Sequence, residues 1–262
     1  MMQLRFATSS WVRAPERLVL RGASWRWRDL PVRYGIALHP VEGPVLIDTG
    51  YDPHMMTVPA GLGVRLYRTL LPPRFDPEAL PGPVLARMGA SLADVRHVIV
   101  THLHADHVAG LHALPAARLH LSPEALRQAT GRLPRAKGVF AELLPADLVA
   151  RAVALSPPET PGPLGPMSDI FGDGSLFALP LPGHARGHLG LWSPGQELLY
   201  ATDAAWTLAG LRDDRETRLA VAAVSDDVRR SRATAEALRG FIAGGGRVAL
   251  CHDPAPLPED LP

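Results

Sequence analysis

Between Thr101 and His107 the chain reads Thr101-His102-Leu103-His104-Ala105-Asp106-His107, so four groups able to ligate a metal fall within six residues. Neutral imidazole and ionised carboxylate suit zinc, iron or manganese and need no thiolate. A lone histidine more often fills a core or caps a helix, but three with an aspartate at this spacing point to a metal site.

The elements that must position these groups can be read on either side. Val98-Ile99-Val100 reads as a strand and Val108-Ala109-Gly110-Leu111 as a helical pattern, so the cluster stands on a rigid strand-to-helix turn. Similar groups occur where other strand runs stop. Asp48 follows Val45-Leu46-Ile47 and opens Asp48-Thr49-Gly50; His184 and His188 lie in Pro182-Gly183-His184-Ala185-Arg186-Gly187-His188; Asp203 follows Leu198-Leu199-Tyr200-Ala201; and His252 follows the run Arg247 to Cys251. Taken singly, each is as readily a turn or core residue.

Together these motifs resemble the His-x-His-x-Asp-His signature and the seven-ligand order of the metallo-β-lactamase superfamily. The resemblance implies an α/β fold, an αββα four-layer sandwich of two mixed sheets flanked by helices, over residues 1–262. It implies two divalent metal ions, zinc by preference with iron or manganese as alternatives. His102, His104 and His184 would hold one ion, Asp106, His107 and His252 the other, and Asp203 would bridge them. Asp48 and His188 would support the ligands through hydrogen bonds. A pair of metals can lower the pKa of a shared hydroxide enough to supply a nucleophile at neutral pH. Hydrolysis of a lactone, ester or thioester is then the expected reaction, with Asp106 as the catalytic acid returning a proton to the leaving oxygen.

Departures narrow the class. His104 stands where flavo-diiron relatives carry an acid, and Asp203 where common metallo-β-lactamases have cysteine. The chain stops ten residues after His252, without the C-terminal substrate domain of glyoxalase II. The pattern is most similar to the N-acyl-homoserine lactonases, the quorum-quenching enzymes, although Trp206 occupies the place of their substrate-contacting tyrosine and is expected to wall the pocket. A mononuclear iron enzyme like the persulfide dioxygenases, using His102, His184 and Asp203, is the alternative. A binding protein that has kept the scaffold is a third reading.

Composition sets outer bounds. The chain has 262 residues, 47% hydrophobic, with a formal net charge of +1. A substantial core is possible, and no basic field favours nucleic acid. A single cysteine, Cys251, allows no intrachain disulfide; its side chain is expected to point away from the ligands into apolar surroundings. No run approaches the ~18 apolar residues of a membrane span and no secretory leader is visible, so a cytoplasmic protein acting on a small molecule is expected. Two proline-rich excursions, residues 51–90 and 131–174, are expected to shape the pocket or to contact a second subunit in a homodimer. The first carries Met55 as a candidate pocket residue and a helical candidate from Leu62 to Leu71; the second carries the only lysine, Lys137, in a loop. Further expectations are a strand at Leu18-Val19-Leu20, a helix over Pro123 to Thr130 opened by Ser122, and a long helix over Asp226 to Ala243 stopped by glycines.

Overall fold

The computed structural model describes residues 2–130, 138–215 and 225–261. Lys137, expected in a loop, and residues 131–137 of the second excursion lie outside the described residues.

Two sheets carry the structure. The first has the order β4-β1-β2-β3-β5-β6-β7, built from β1 (Leu4–Pro15), β2 (Trp27–His39), β3 (Gly43–Ile47), β4 (Arg74–Phe75), β5 (His97–Ile99), β6 (Arg118–Leu121) and β7 (Ala152–Ala154). The second has the order β12-β11-β10-β9-β8, from β8 (Ser168–Asp169), β9 (Phe177–Pro180), β10 (Leu189–Ser193), β11 (Leu198–Tyr200) and β12 (Arg247–Ala249). Both are mixed: β3, β5, β6 and β7 run parallel, as do β11 and β12, while the remaining pairings are antiparallel.

Side-chain alternation builds the layers. Val45, Ile47 and Ile99 face the second sheet, where they meet Leu189, Leu191, Leu198 and Tyr200. Leu46 and Val98, one residue out of phase, face outward into a core with Val84, Leu85, Val108 and Leu111. On the far side of the second sheet, Leu199 and Val248 pack with Ala235 and Leu238 of the helix Val228–Ala243. Four layers result, helix on sheet on sheet on helix, which is the expected αββα sandwich.

Several local expectations hold. The helix Pro123–Thr130 starts where Ala125 N donates to Ser122 Oγ at 3.0 Å. The long helix begins at Val228, with Asp227 accepting from Arg229 N and Arg230 N. Leu18-Val19-Leu20 is not a strand. Pro15 ends β1 and a helical turn, Glu16–Val19, reverses the chain toward β2. The excursion 51–90 is more ordered than its prolines suggest, because three of them are used to start structure: His54–Thr57 follows Pro53, a 3₁₀ turn begins at Pro77, and Pro81–Arg87 begins at Pro81.

The chain beyond β12 is tied to the first sheet through Arg33, which is buried at 3% exposure. Its guanidinium donates to Asp260 Oδ1 at 3.0 Å, to Asp260 Oδ2 at 3.1 Å, to Ala255 O at 2.8 Å and to the carbonyl of Asp253. Since Asp253 adjoins His252, this anchor also locates the last candidate ligand. Arg33→Met should lower the unfolding free energy by about 3–5 kcal/mol, because buried acceptors lose their donors. Chemical denaturation checks this, and a loss under ~1 kcal/mol would mean that the tail docks without the guanidinium.

Candidate metal centre

The strand ends bring the seven candidate ligands to one place. The turn after β5 supplies His102, His104, Asp106 and His107; the loop between β9 and β10 supplies His184; Asp203 follows β11 and His252 follows β12. Each segment is pinned by main-chain bonds. Thr49 N and Thr49 Oγ1 both donate to His107 O, at 2.9 and 3.0 Å. Leu189 N donates to Thr101 O at 3.1 Å, joining the two sheets beside the cluster. Asp226 N and Asp227 N donate to His184 O and Gly183 O, each at 2.9 Å. Gly183 has φ +129°, and a Cβ there would collide with the backbone of Ser231, so only glycine lets the His184 loop lie this close to the long helix.

The groups form two sets that meet at Asp203. In the first, His184 Nε2 lies 3.0 Å from His104 Nδ1, and the His102 ring sits 4.5 Å from that of His104. In the second, His252 Nε2 is 3.3 Å and His107 Nε2 3.6 Å from Asp106 Oδ2. Asp203 Oδ2 is 3.4 Å from His184 Nε2 and 3.3 Å from His252 Nε2, while Asp203 Oδ1 is 3.4 Å from His107 Nε2. One carboxylate thus touches both sets.

Supporting bonds fix the direction of each ring. His107 Nδ1 donates to Asp48 Oδ2 at 2.7 Å, and His252 Nδ1 to Pro31 O at 2.8 Å. His102 Nδ1 donates to Thr101 Oγ1 at 3.1 Å, and that hydroxyl donates to Asp48 Oδ2 at 2.7 Å. In each case the other ring nitrogen is turned inward. His102 Nε2, His107 Nε2 and Asp203 Oδ1 are buried with no hydrogen-bond partner among the described residues. Three orphaned, converging atoms are costly unless something accepts their lone pairs, and a divalent cation fits that demand. His188 does not join them: its Nδ1 donates to Leu181 O at 2.9 Å and its Nε2 accepts from Thr202 Oγ1, while its ring stands edge-on to His102 at 5.0 Å.

Electrostatics divide the histidines the same way. Burial holds His102 and His184 far below the ordinary imidazole range and brings His104 and His188 to about 4. Burial also opposes charge on His107, but the carboxylates of Asp203, Asp48 and Asp106 outweigh it and raise His107 well above the ordinary value. His252 rises for related reasons, through Cys251, Asp203 and Asp106.

Two expectations need correction. Met55 does not line the cavity. The turn His54–Thr57 rolls it wholly into the helix-side core. Cys251 is buried in that core but does not point away from the ligands. Its Sγ donates to Arg33 O at 3.3 Å and lies within 4.8 Å of ligand atoms of His107, Asp203 and His252. Strand alternation misplaces it because β12 ends at Ala249, before the cysteine.

A cavity of about 310 Å³ opens on the cluster, lined by His104, Asp106, His184, Asp203 and His252 and walled by Val12, Leu30, Tyr67, Leu71 and Trp206, among others. Tyr51 also lines it. The two tyrosines were not singled out from sequence. Tyr51 directly follows Asp48-Thr49-Gly50, which was a usable signal, whereas nothing in the helix Leu62–Leu70 marks Tyr67.

Residues 36–242 match the family model of the metallo-beta-lactamase superfamily, and the chain belongs to that family. Among its relatives, an N-acyl homoserine lactonase AttM of Rhizobium johnstonii is 27% identical over 87% of this chain and 83% of its own length. A "probable metallo-hydrolase" of Mycobacterium tuberculosis is 31% identical over 56% of this chain, a match spanning about half, 47%, of that protein. The fold is also that of a mutant of AiiA from B. thuringiensis with N-decanoyl-L-homoserine bound at the active site. The TM-score is 0.71 at 19% identity, over 96% of this chain and 93% of that one.

Asp48→Asn should weaken metal affinity roughly 10–100-fold, since the amide cannot hold the His107 tautomer as the carboxylate does. Competition with a chromophoric chelator measures this, and unchanged affinity would remove Asp48 from the support of the ligand. Acid should also destabilise the ion-free protein. His104, His120 and His188 take up protons near 4 when folded, against the ordinary 6.5 when unfolded. The unfolded chain thus binds more protons in that window, and stability falls as pH drops from 6.5 toward about 4. His107 and His252, raised instead, contribute stability that is constant below 6.5 and is lost only at higher pH. Urea midpoints across this range test the sign, which a flat profile would contradict.

Proposed function

We propose that this protein is a dinuclear metal-dependent hydrolase that opens lactones or cleaves ester-like bonds carrying an apolar acyl group. The carrying observation is the cavity, whose base is the ligand cluster and whose walls include Val12, Ala14, Leu30, Leu71 and Trp206. His102, His104 and His184 would hold one cation, Asp106, His107 and His252 the other, with Asp203 shared. Bound divalent ions supply a polarising electrophile and water acidic enough to attack near neutral pH. Zinc suits the mixed imidazole and carboxylate set.

The chain's own residues do the rest. The apolar walls exclude bulk water from the reacting bond and receive the acyl chain. Trp206, packed against Val19, Leu20 and Leu30, forms one of those walls. Asp106 faces both the second ligand set and the cavity, so its carboxylate can hold a proton and return it to the leaving oxygen. The names of the AttM and AiiA relatives support an acyl-homoserine lactone as the substrate class. The ligands come from both halves of the chain, which supports reading residues 1–262 as one catalytic unit. Cys251, buried and unpaired, suits the reducing cytoplasm.

Asp106→Asn should reduce turnover of lactone and ester substrates roughly 10²–10⁴-fold while at least one ion stays bound. Steady-state rates with elemental analysis decide it. Retained activity would take Asp106 out of the chemistry, and one iron per chain in the wild type would favour oxygenation over hydrolysis.

A further inference from the structure

Two phenols close the cavity beside Asp106. Tyr51 is held by its backbone, whose N–H donates to Ser9 Oγ at 3.0 Å, and Ser9 sits at the bulge in the β1–β2 ladder. Its side chain is sealed, at 1% exposure. Tyr67 comes from the helix Leu62–Leu70, and its ring stands edge-on to Phe140 at 5.1 Å. The two hydroxyls meet in a short hydrogen bond, and neither has another partner among the described residues.

A phenol has one proton to give. Tyr51, at 1% exposure and with the Tyr67 hydroxyl as the one acceptor it reaches among the described residues, gives its proton to the Tyr67 oxygen. The opposite arrangement would orphan a donor in the core, which is costly. The Tyr67 proton is then left without a protein acceptor, on a wall shared with Asp106, His104, His184, Asp203 and His252. Burial and the nearby Asp106 carboxylate hold both phenols well above their ordinary range. Each therefore remains a donor rather than a base at working pH.

We propose that Tyr67 is a substrate-contacting hydrogen-bond donor to the acyl oxygen on which negative charge develops, and that Tyr51 positions it. This rests on the hydrolase reading above and adds a residue to it. No proton is transferred: Tyr67 lends its O–H to the oxygen as the carbonyl bond opens and keeps it when the product leaves. A donor placed where charge develops is worth more in the transition state than in the ground state, so its effect falls on kcat.

The test compares metal-loaded wild type, Tyr67→Phe and Tyr51→Phe on one lactone and ester panel, with ion content and thermal midpoint measured for each. Tyr67→Phe should lose roughly 10²-fold in kcat with KM, ion content and midpoint little changed. Tyr51→Phe should lose clearly less, because Tyr67 keeps its proton. A second readout needs no turnover: titration with N-decanoyl-L-homoserine should give a tyrosine near-UV difference band in wild type and Tyr51→Phe but not in Tyr67→Phe. A kcat within about twofold of wild type, or a band persisting in Tyr67→Phe, overturns the proposal. If the wild type turns over nothing on the panel, the hydrolase reading fails, and the difference band still reports whether Tyr67 meets the ligand.

Discussion

The constraint to which everything else answers is the burial of Asp48, Asp106 and Asp203 together with five imidazoles at the junction of two sheets. Each ionised group taken from water costs several kcal/mol unless it is paired and hydrogen-bonded. The structure meets that demand with hydrogen-bond donors and with His107 and His252, the two imidazoles that favour the protonated form. Asp48 accepts from Thr101 N, Thr101 Oγ1 and His107 Nδ1, and Asp203 stands among four histidines. The buried atoms left without a partner among the described residues, His102 Nε2, His107 Nε2 and Asp203 Oδ1, mark the candidate cation site.

Holding that arrangement requires unusual backbone. Asp48 has φ +59° and Thr202 φ +47°, the latter a β-branched residue in the left-handed region. Both lie just past a strand end and beside a ligand contact. Strain of this kind, on the order of 1–3 kcal/mol each, persists where surrounding bonds over-determine the conformation. Here Cys251 N donating to Thr202 O and Thr202 Oγ1 donating to His188 Nε2 do so. Stability is thus given up beside the candidate ligands, whose direction these bonds fix.

Much of this was readable before any coordinates. Val98 to Val100 and Val45 to Ile47 declare themselves as strands because both faces are buried, and the ligands follow at their ends. The helix from Pro123 was legible because Ser122 and the proline are local signals. What failed was information carried by distant contacts. Leu18 to Leu20 looks like a strand, yet Pro15 and the hairpin geometry turn it into helix. Met55 and Tyr67 sit on successive helices; packing in the core with Leu85 takes one inward, while the other reaches the cavity. Side-chain destinations of that sort are set by tertiary packing, which no local pattern encodes.

The ligand set is also divided in a way that couples the two sheets. Four of the candidate ligands hang from the first sheet and three from the second, so a cation held by them would add a non-covalent link between layers already joined by hydrophobic contact and by Leu189 N donating to Thr101 O. Parting the layers would then mean breaking that coordination as well, and filling it would tighten the seam between Ile47 and Leu191 without touching either.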